Sequence, residues 1–135
     1  MMQRREFLIC AFTGALAPWL TTSVASAVER KAFDAESFAA AQRRGARILV
    51  DIAATWCPIC KAQKPIIDSL VTRPENNDLV IFSVDFDSQK PVVREFGAQS
   101  QSTLIAFRGK TETARSVGDT DPDSIAALVR SSSSN

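Results

Sequence analysis

Two cysteines separated by two residues, Cys57-Pro58-Ile59-Cys60, are the side chains of this sequence best suited to chemistry. The 135 residues include three Cys and no His. Without His the chain lacks the usual neutral-pH proton shuttle and the commonest metal ligand, which excludes His-based hydrolase triads and His-ligated zinc sites. Pro58 suits the first position of a helix, which would put Cys57 at the helix N-terminus. Unpaired N–H groups and the helix dipole favour a negatively charged sulfur there. Cys60, three residues on, would face the same side within disulfide reach. A Cys57 thiolate could attack a disulfide, and Cys60 could then resolve the mixed disulfide by attacking Cys57. An inert structural disulfide is a weaker reading, because so short a loop constrains the unfolded chain little. A zinc or iron–sulfur site needs about four ligands, so this pair would have to be completed by a second chain.

These cysteines need elements to position them. Ile48 to Ala54 is a short apolar run that reads as a buried strand, and Thr55-Trp56-Cys57 is the turn out of it. A helix should follow from Pro58 to about Val71, with Pro65 inside it as a kink. Asp34 can cap an earlier helix that ends before Gly45. Leu79 to Val84 reads as a second buried strand, and a short helix is expected around Pro91 to Phe96. Thr103 to Arg108 and Thr111 to Val117 flank Gly109-Lys110 as a hairpin, and Asp121-Pro122 opens a last helix to Arg130. The order of helices and strands predicts an α/β sandwich with a central mixed sheet flanked by helices. Ser131 to Asn135 reads as a disordered polar tail.

The stretch from Ile48 to Lys61, followed by Pro65, resembles the active-site strand, Trp-Cys-x-x-Cys-Lys motif and helix proline of the thioredoxin family. That resemblance implies a thioredoxin fold, a three-layer sandwich, and thiol–disulfide exchange with no cofactor beyond a redox-active Cys57–Cys60 disulfide. It makes Cys57 the attacking thiol, Cys60 the resolving thiol and Asp51 the buried carboxylate that helps deprotonate Cys60. Inside an apolar strand Asp51 should hold its proton more tightly than an exposed carboxylate. Trp56, Pro58 and Ile59, with Ser102 and Thr103, would form the substrate-contacting surface; Lys61 and Pro65 would be structural. In the same register Ser102 stands where the family has a cis-proline. A cis bond before a non-proline residue costs about 3 to 4 kcal/mol, so the Gln101–Ser102 peptide should be either strained or trans with a reshaped loop. The Pro58-Ile59 pair supplies no cation beside Cys57, which favours a reductant over a strong oxidant.

Residues 1–27 resemble an export signal. Arg4-Arg5-Glu6-Phe7-Leu8 is similar to the bacterial twin-arginine pattern, an uncharged run follows, and Ala25-Ser26-Ala27 suits cleavage after Ala27. Cys10 would leave with that segment; retained, it would be a membrane anchor. The expected organisation is therefore a signal over 1–27, a thioredoxin-like domain over 28–130 and a tail over 131–135, located in the periplasm. In that oxidising compartment a reductant needs a membrane electron donor, with client protein disulfides as its substrates. Sixteen basic and fifteen acidic side chains supply no field for nucleic acid. The competing readings are a metal or iron–sulfur module using Cys57 and Cys60 of two chains, and a non-catalytic binding or chaperone-like module of the same fold.

Overall fold

The computed structural model describes residues 27–133. The export segment, apart from Ala27, lies outside the described residues, as do Ser134 and Asn135. Nine elements are built in order: β1 (Glu29–Ala32), α1 (Ala35–Arg43), β2 (Arg47–Ala53), α2 (Pro58–Val71), β3 (Leu79–Asp85), α3 (Lys90–Glu95), β4 (Thr103–Arg108), β5 (Thr111–Val117) and α4 (Pro122–Arg130), with a 3₁₀ turn at Pro74–Asn76. The sheet order is β1-β3-β2-β4-β5. β3 runs parallel to both β1 and β2, β4 is antiparallel to β2, and β5 is antiparallel to β4. The expected mixed-sheet sandwich is present, with element limits within two residues of those read from the sequence. The strand β1 is an addition to that reading. Its Glu29-Arg30-Lys31 carries no apolar alternation, and charged residues are what an exposed sheet edge tolerates.

The central strand β2 is covered on both faces, and its period of two divides the core. Ile48, Val50 and Ile52 join Val80, Phe82, Val84 and Ile105 on one side. There Phe33, Phe38, Phe82, Phe96 and Phe107 meet in mostly edge-on contacts, with ring centroids 5.3–6.1 Å apart. Leu49 joins Ile81, Leu104, Ile67, Leu70 and Ile125 on the other, where α2 and α4 pack. By parity Asp51 also points toward the α2 side. Gly109 closes the β4–β5 hairpin at φ +57°, and a Cβ there would come within 3.3 Å of the Gln42 carbonyl and Gly45 Cα. Glycine is therefore required at that turn.

The expected disordered tail is corrected for its first three residues. Ser131 to Ser133 continue as a turn from α4, and Ser132 is buried. Its Oγ accepts from Arg47 Nε at 3.2 Å and donates to the Val129 carbonyl at 2.7 Å. Arg47 itself is buried at the start of β2 and donates to the Glu75 carbonyl, Asp78, Asn76 and the Val129 carbonyl at 2.8–3.2 Å. A buried guanidinium needs all its donors occupied, and Ser132 is one of the few acceptors within reach. Composition alone could not reveal that partner. Ser132→Ala is expected to cost about 1 kcal/mol and Arg47→Met about 3 kcal/mol or more in denaturant unfolding. A disordered tail would give no loss for Ser132→Ala.

Candidate functional site

β2 ends against the start of α2, and that junction places both cysteines. Cys57 is the N-cap of α2 in an extended conformation (φ −81°, ψ 114°), Pro58 occupies the first helical position, and the helix continues past Pro65 to Val71. The Cys60 backbone N–H donates to Cys57 Sγ at 3.1 Å. A sulfur here takes the part that a Ser or Asp oxygen plays at an ordinary N-cap. Both cysteines are free thiols in this structure.

Their environments differ. Cys57 is only 1% exposed, whereas Cys60 is half-buried and lines a cleft of about 480 Å³. Burial, a hydrogen bond with Cys57 and the neighbouring Cys57 charge push the Cys60 thiol up to about 11, against backbone hydrogen bonds from Ala54 and Ser102 that favour its thiolate. The more accessible sulfur is thus the one whose surroundings oppose its ionisation, and access alone does not decide which thiol reacts first.

The cleft that Cys60 lines is also lined by Asp51, Arg30, Asp85, Lys61 and Lys64. The sheet register explains this grouping: Asp51 pairs with Ser83 on β3, which pairs in turn with Ala32 on β1. Arg30, two residues before Ala32, therefore shares the Asp51 face. Burial raises the Asp51 carboxyl above the ordinary carboxylate range, and the charge of Arg30 partly offsets that rise. Arg30 is otherwise engaged with Asp68 at 2.7 Å, and Asp68 also takes Lys64 at 2.8 Å. Lys61 is exposed at the cleft mouth, and Pro65 is exposed on α2.

Around the cysteines, Trp56 and Ile59 are 55% and 40% exposed, and Pro58 is exposed beside them. The Trp56 indole donates to Asp87 at 2.7 Å. Asp87 is held in turn by a bend in which the Asp85 carboxylate accepts from the backbones of Asp87 and Ser88, bonds that keep Asp85 below its usual range. Ser102 and Thr103 differ from the expected substrate surface, because both side chains are buried. The Ser102 hydroxyl donates to the Gln101 carbonyl and that of Thr103 to the Ser100 carbonyl. Any contact from these residues to a substrate would have to come from the backbone. Among the described residues no peptide is cis; Gln101–Ser102 is trans, and Ser102 adopts φ +58°. The reshaped loop, rather than a strained cis bond, is what replaces the proline.

Sequence reading did not single out Arg30, Gln63 or Asp87. Arg30 reaches the site through β1, whose charged residues carry no strand signal. Asp87 follows directly from the end of β3 and could have been suspected as a partner for the Trp56 indole. Among the described residues no group of three or more His, Cys, Asp or Glu side chains is placed to hold a metal.

The thioredoxin family model matches residues 26–131. A thioredoxin of Chlamydia muridarum is 37% identical over 82 residues, covering 61% of this chain and 78% of its own. An H-type thioredoxin of Brassica campestris is 31% identical over 93 residues, or 69% and 74% of the two chains. The crystal structure of Trxlp from Edwardsiella tarda superposes with a TM-score of 0.73 at 38% identity, covering 75% of this chain and 98% of that one. This chain belongs to the thioredoxin family, whose members are thiol–disulfide oxidoreductases. Thioredoxins act in general on protein disulfides and need no added cofactor for it.

Asp51 provides a test of the site's electrostatics. The folded state holds its proton more tightly than the unfolded chain, whose ordinary value is 3.8, so stability falls as pH climbs from there through the folded value. Asp51→Asn removes that loss: the variant is expected to melt higher than the parent at pH 7 and no higher at pH 3, as followed by thermal unfolding across pH.

Proposed function

We propose that the protein reduces disulfides of exported client proteins, with Cys57 as the attacking thiol and Cys60 as the resolving one. The Cys57 thiolate attacks one client sulfur, breaks the S–S bond and forms a mixed disulfide, while the other client sulfur leaves and takes a proton. Cys60 then gives its proton to Asp51, directly or through water, and attacks Cys57 Sγ. The second client thiol departs, and the pair ends as a Cys57–Cys60 disulfide, having passed two electrons to the client. The observation that carries this order is the inequality of the two sulfurs. Cys57 receives the Cys60 N–H at a helix N-terminus, whereas Cys60 is pushed up to about 11 and shares a cleft with a carboxylate whose burial makes it a stronger base than an exposed one. Enclosure of Cys57 then requires the surrounding surface to part when a client docks, and exposed Trp56, Pro58 and Ile59 offer it an apolar landing place.

Location in the periplasm, after cleavage behind Ala27, is supported by the Arg4-Arg5 signal pattern. Such a reductant needs its thiols renewed by an electron donor at the membrane, since the compartment itself is oxidising. With no cation in the Pro58-Ile59 pair, the reduction potential is expected to lie near −270 mV, and a value near −120 mV would reverse the direction of electron flow.

Reaction with a protein disulfide identifies the attacking sulfur. Cys60→Ser is expected to accumulate a covalent adduct on Cys57, located by mass spectrometry, and Cys57→Ser to form none. An adduct accumulating on Cys60 of the Cys57→Ser variant would overturn the assignment and make accessibility the deciding factor.

A further inference from the structure

The cleft beside α2 opens onto one cysteine only: Cys60 forms part of its wall, and the enclosed Cys57 does not. Its volume of about 480 Å³ is that of a small-molecule site. Ala53, Ala54 and Val84 line it with apolar surface, and Asp51 stands in the same wall as Cys60. A protein client is offered a different surface, the exposed Trp56, Pro58 and Ile59.

The charges around that cleft are unequal. Arg30 reaches it from β1, Asp51 from β2, Asp85 from β3, and Lys61 and Lys64 from α2, three cations against two carboxylates. The Asp85 carboxylate is turned to the backbone N–H groups of Asp87 and Ser88. Arg30 and Lys64 are both paired with Asp68, at 2.7 and 2.8 Å. Lys61 alone of the three cations has no carboxylate partner among the described residues. It follows Cys60 directly in the chain, and both belong to the cleft wall. A carboxylate within a few bonds of a ligand's sulfur would therefore meet Lys61 as that sulfur meets Cys60.

We propose that this cleft is a second substrate entrance, through which Cys60 reduces low-molecular-weight disulfides whose carboxylates, set close to sulfur, are held by Lys61. Cys60 gives its proton to Asp51, directly or through water, and attacks one sulfur of the ligand; the ligand S–S bond breaks and its other sulfur leaves. Cys57 then attacks Cys60 Sγ, and the remaining ligand sulfur departs. The protons of the two cysteines pass to the departing sulfurs, the pair ends as a Cys57–Cys60 disulfide, and two electrons have moved to the ligand. The raised Cys60 thiol makes a base in the same cleft necessary for the first attack. This inference rests on the dithiol chemistry proposed above and extends it to a second class of substrate, with the order of the two sulfurs reversed.

The test uses the reduced full chain carrying Cys57→Ser, at pH 8, with three disulfides of similar size: anionic dithiodipropionate, neutral hydroxyethyl disulfide and cationic cystamine. Adducts are located by peptide mass spectrometry, so that Cys10 is counted apart. Dithiodipropionate is expected to form a mixed disulfide on Cys60. Adding Lys61→Gln is expected to slow that reaction about fivefold, the effect of one charge at contact distance in water, to leave hydroxyethyl disulfide within about twofold and to quicken cystamine. Comparing each disulfide with and without Lys61 cancels its intrinsic reactivity, whereas a change in the Cys60 thiolate or in the fold would slow all three alike. The inference is overturned if Lys61→Gln leaves the ratios among the three rates unchanged. It is also overturned if Cys57→Ser gives no adduct on Cys60 while Cys60→Ser still captures a protein disulfide on Cys57. Loss of both captures would instead overturn the dithiol reading on which the inference rests.

Discussion

The strand β2 is buried on both faces and paired along both edges, and most of the site follows from that burial. Alternation along it commits Ile48, Val50 and Ile52 to one core and Leu49 to the other, so Asp51 falls on the α2 side, partly buried where that face opens into the cleft. A slip of one residue would exchange the two sets between the cores and turn Asp51 into the aromatic one. The same rigidity fixes where the chain leaves the sheet, and hence where Cys57 caps α2. A partly buried carboxylate and a helix-capping sulfur are two consequences of one well-packed strand.

Holding such groups has a thermodynamic cost that the fold absorbs elsewhere. Asp51 is kept above its ordinary range by burial, Gln63 leaves an acceptor without a partner, and Ser102 sits in the left-handed region. Asp51 lies in the Cys60 cleft, and Gln63 donates to the Ser102 carbonyl. Polar groups far from the cysteines are treated differently: Arg47 is equally buried, but every one of its contacts is made to an acceptor. Ser116 Oγ on β5 is also without a partner, so unmet polar groups are not confined to the site, but a raised carboxyl in the cleft that holds a reactive thiol is what a site that must move protons would retain.

Much of this was legible in advance because it depends on local rules. Pro58 at the start of α2, Gly109 in the hairpin, the apolar runs of β2 and β3 and the capping Asp34 and Asp121 each carry their own signal, and the elements they predict occur. β1 escaped notice because an edge strand can be charged, and Ser132 because a run of serines looks the same whether or not an arginine reaches it. The loop at Ser102 was legible as a departure but not as a shape: a missing proline leaves cis and trans both open, and the bonds that Gln63 and Gly118 donate to the Ser102 carbonyl come from distant segments.

By itself the sequence determined the reactive pair, the strand that buries Asp51, the helix that Cys57 caps and the order of elements around them, because periodicity, capping and turn chemistry act over a few residues. Only the tertiary structure decided which sulfur is enclosed and which meets the cleft, that Arg30 arrives from an edge strand to face Asp51, and that Gln63 grips the loop carrying Ser102. Those outcomes join residues 21 to 56 positions apart, and no local pattern encodes a contact whose partners are brought together by sheet order and helix packing.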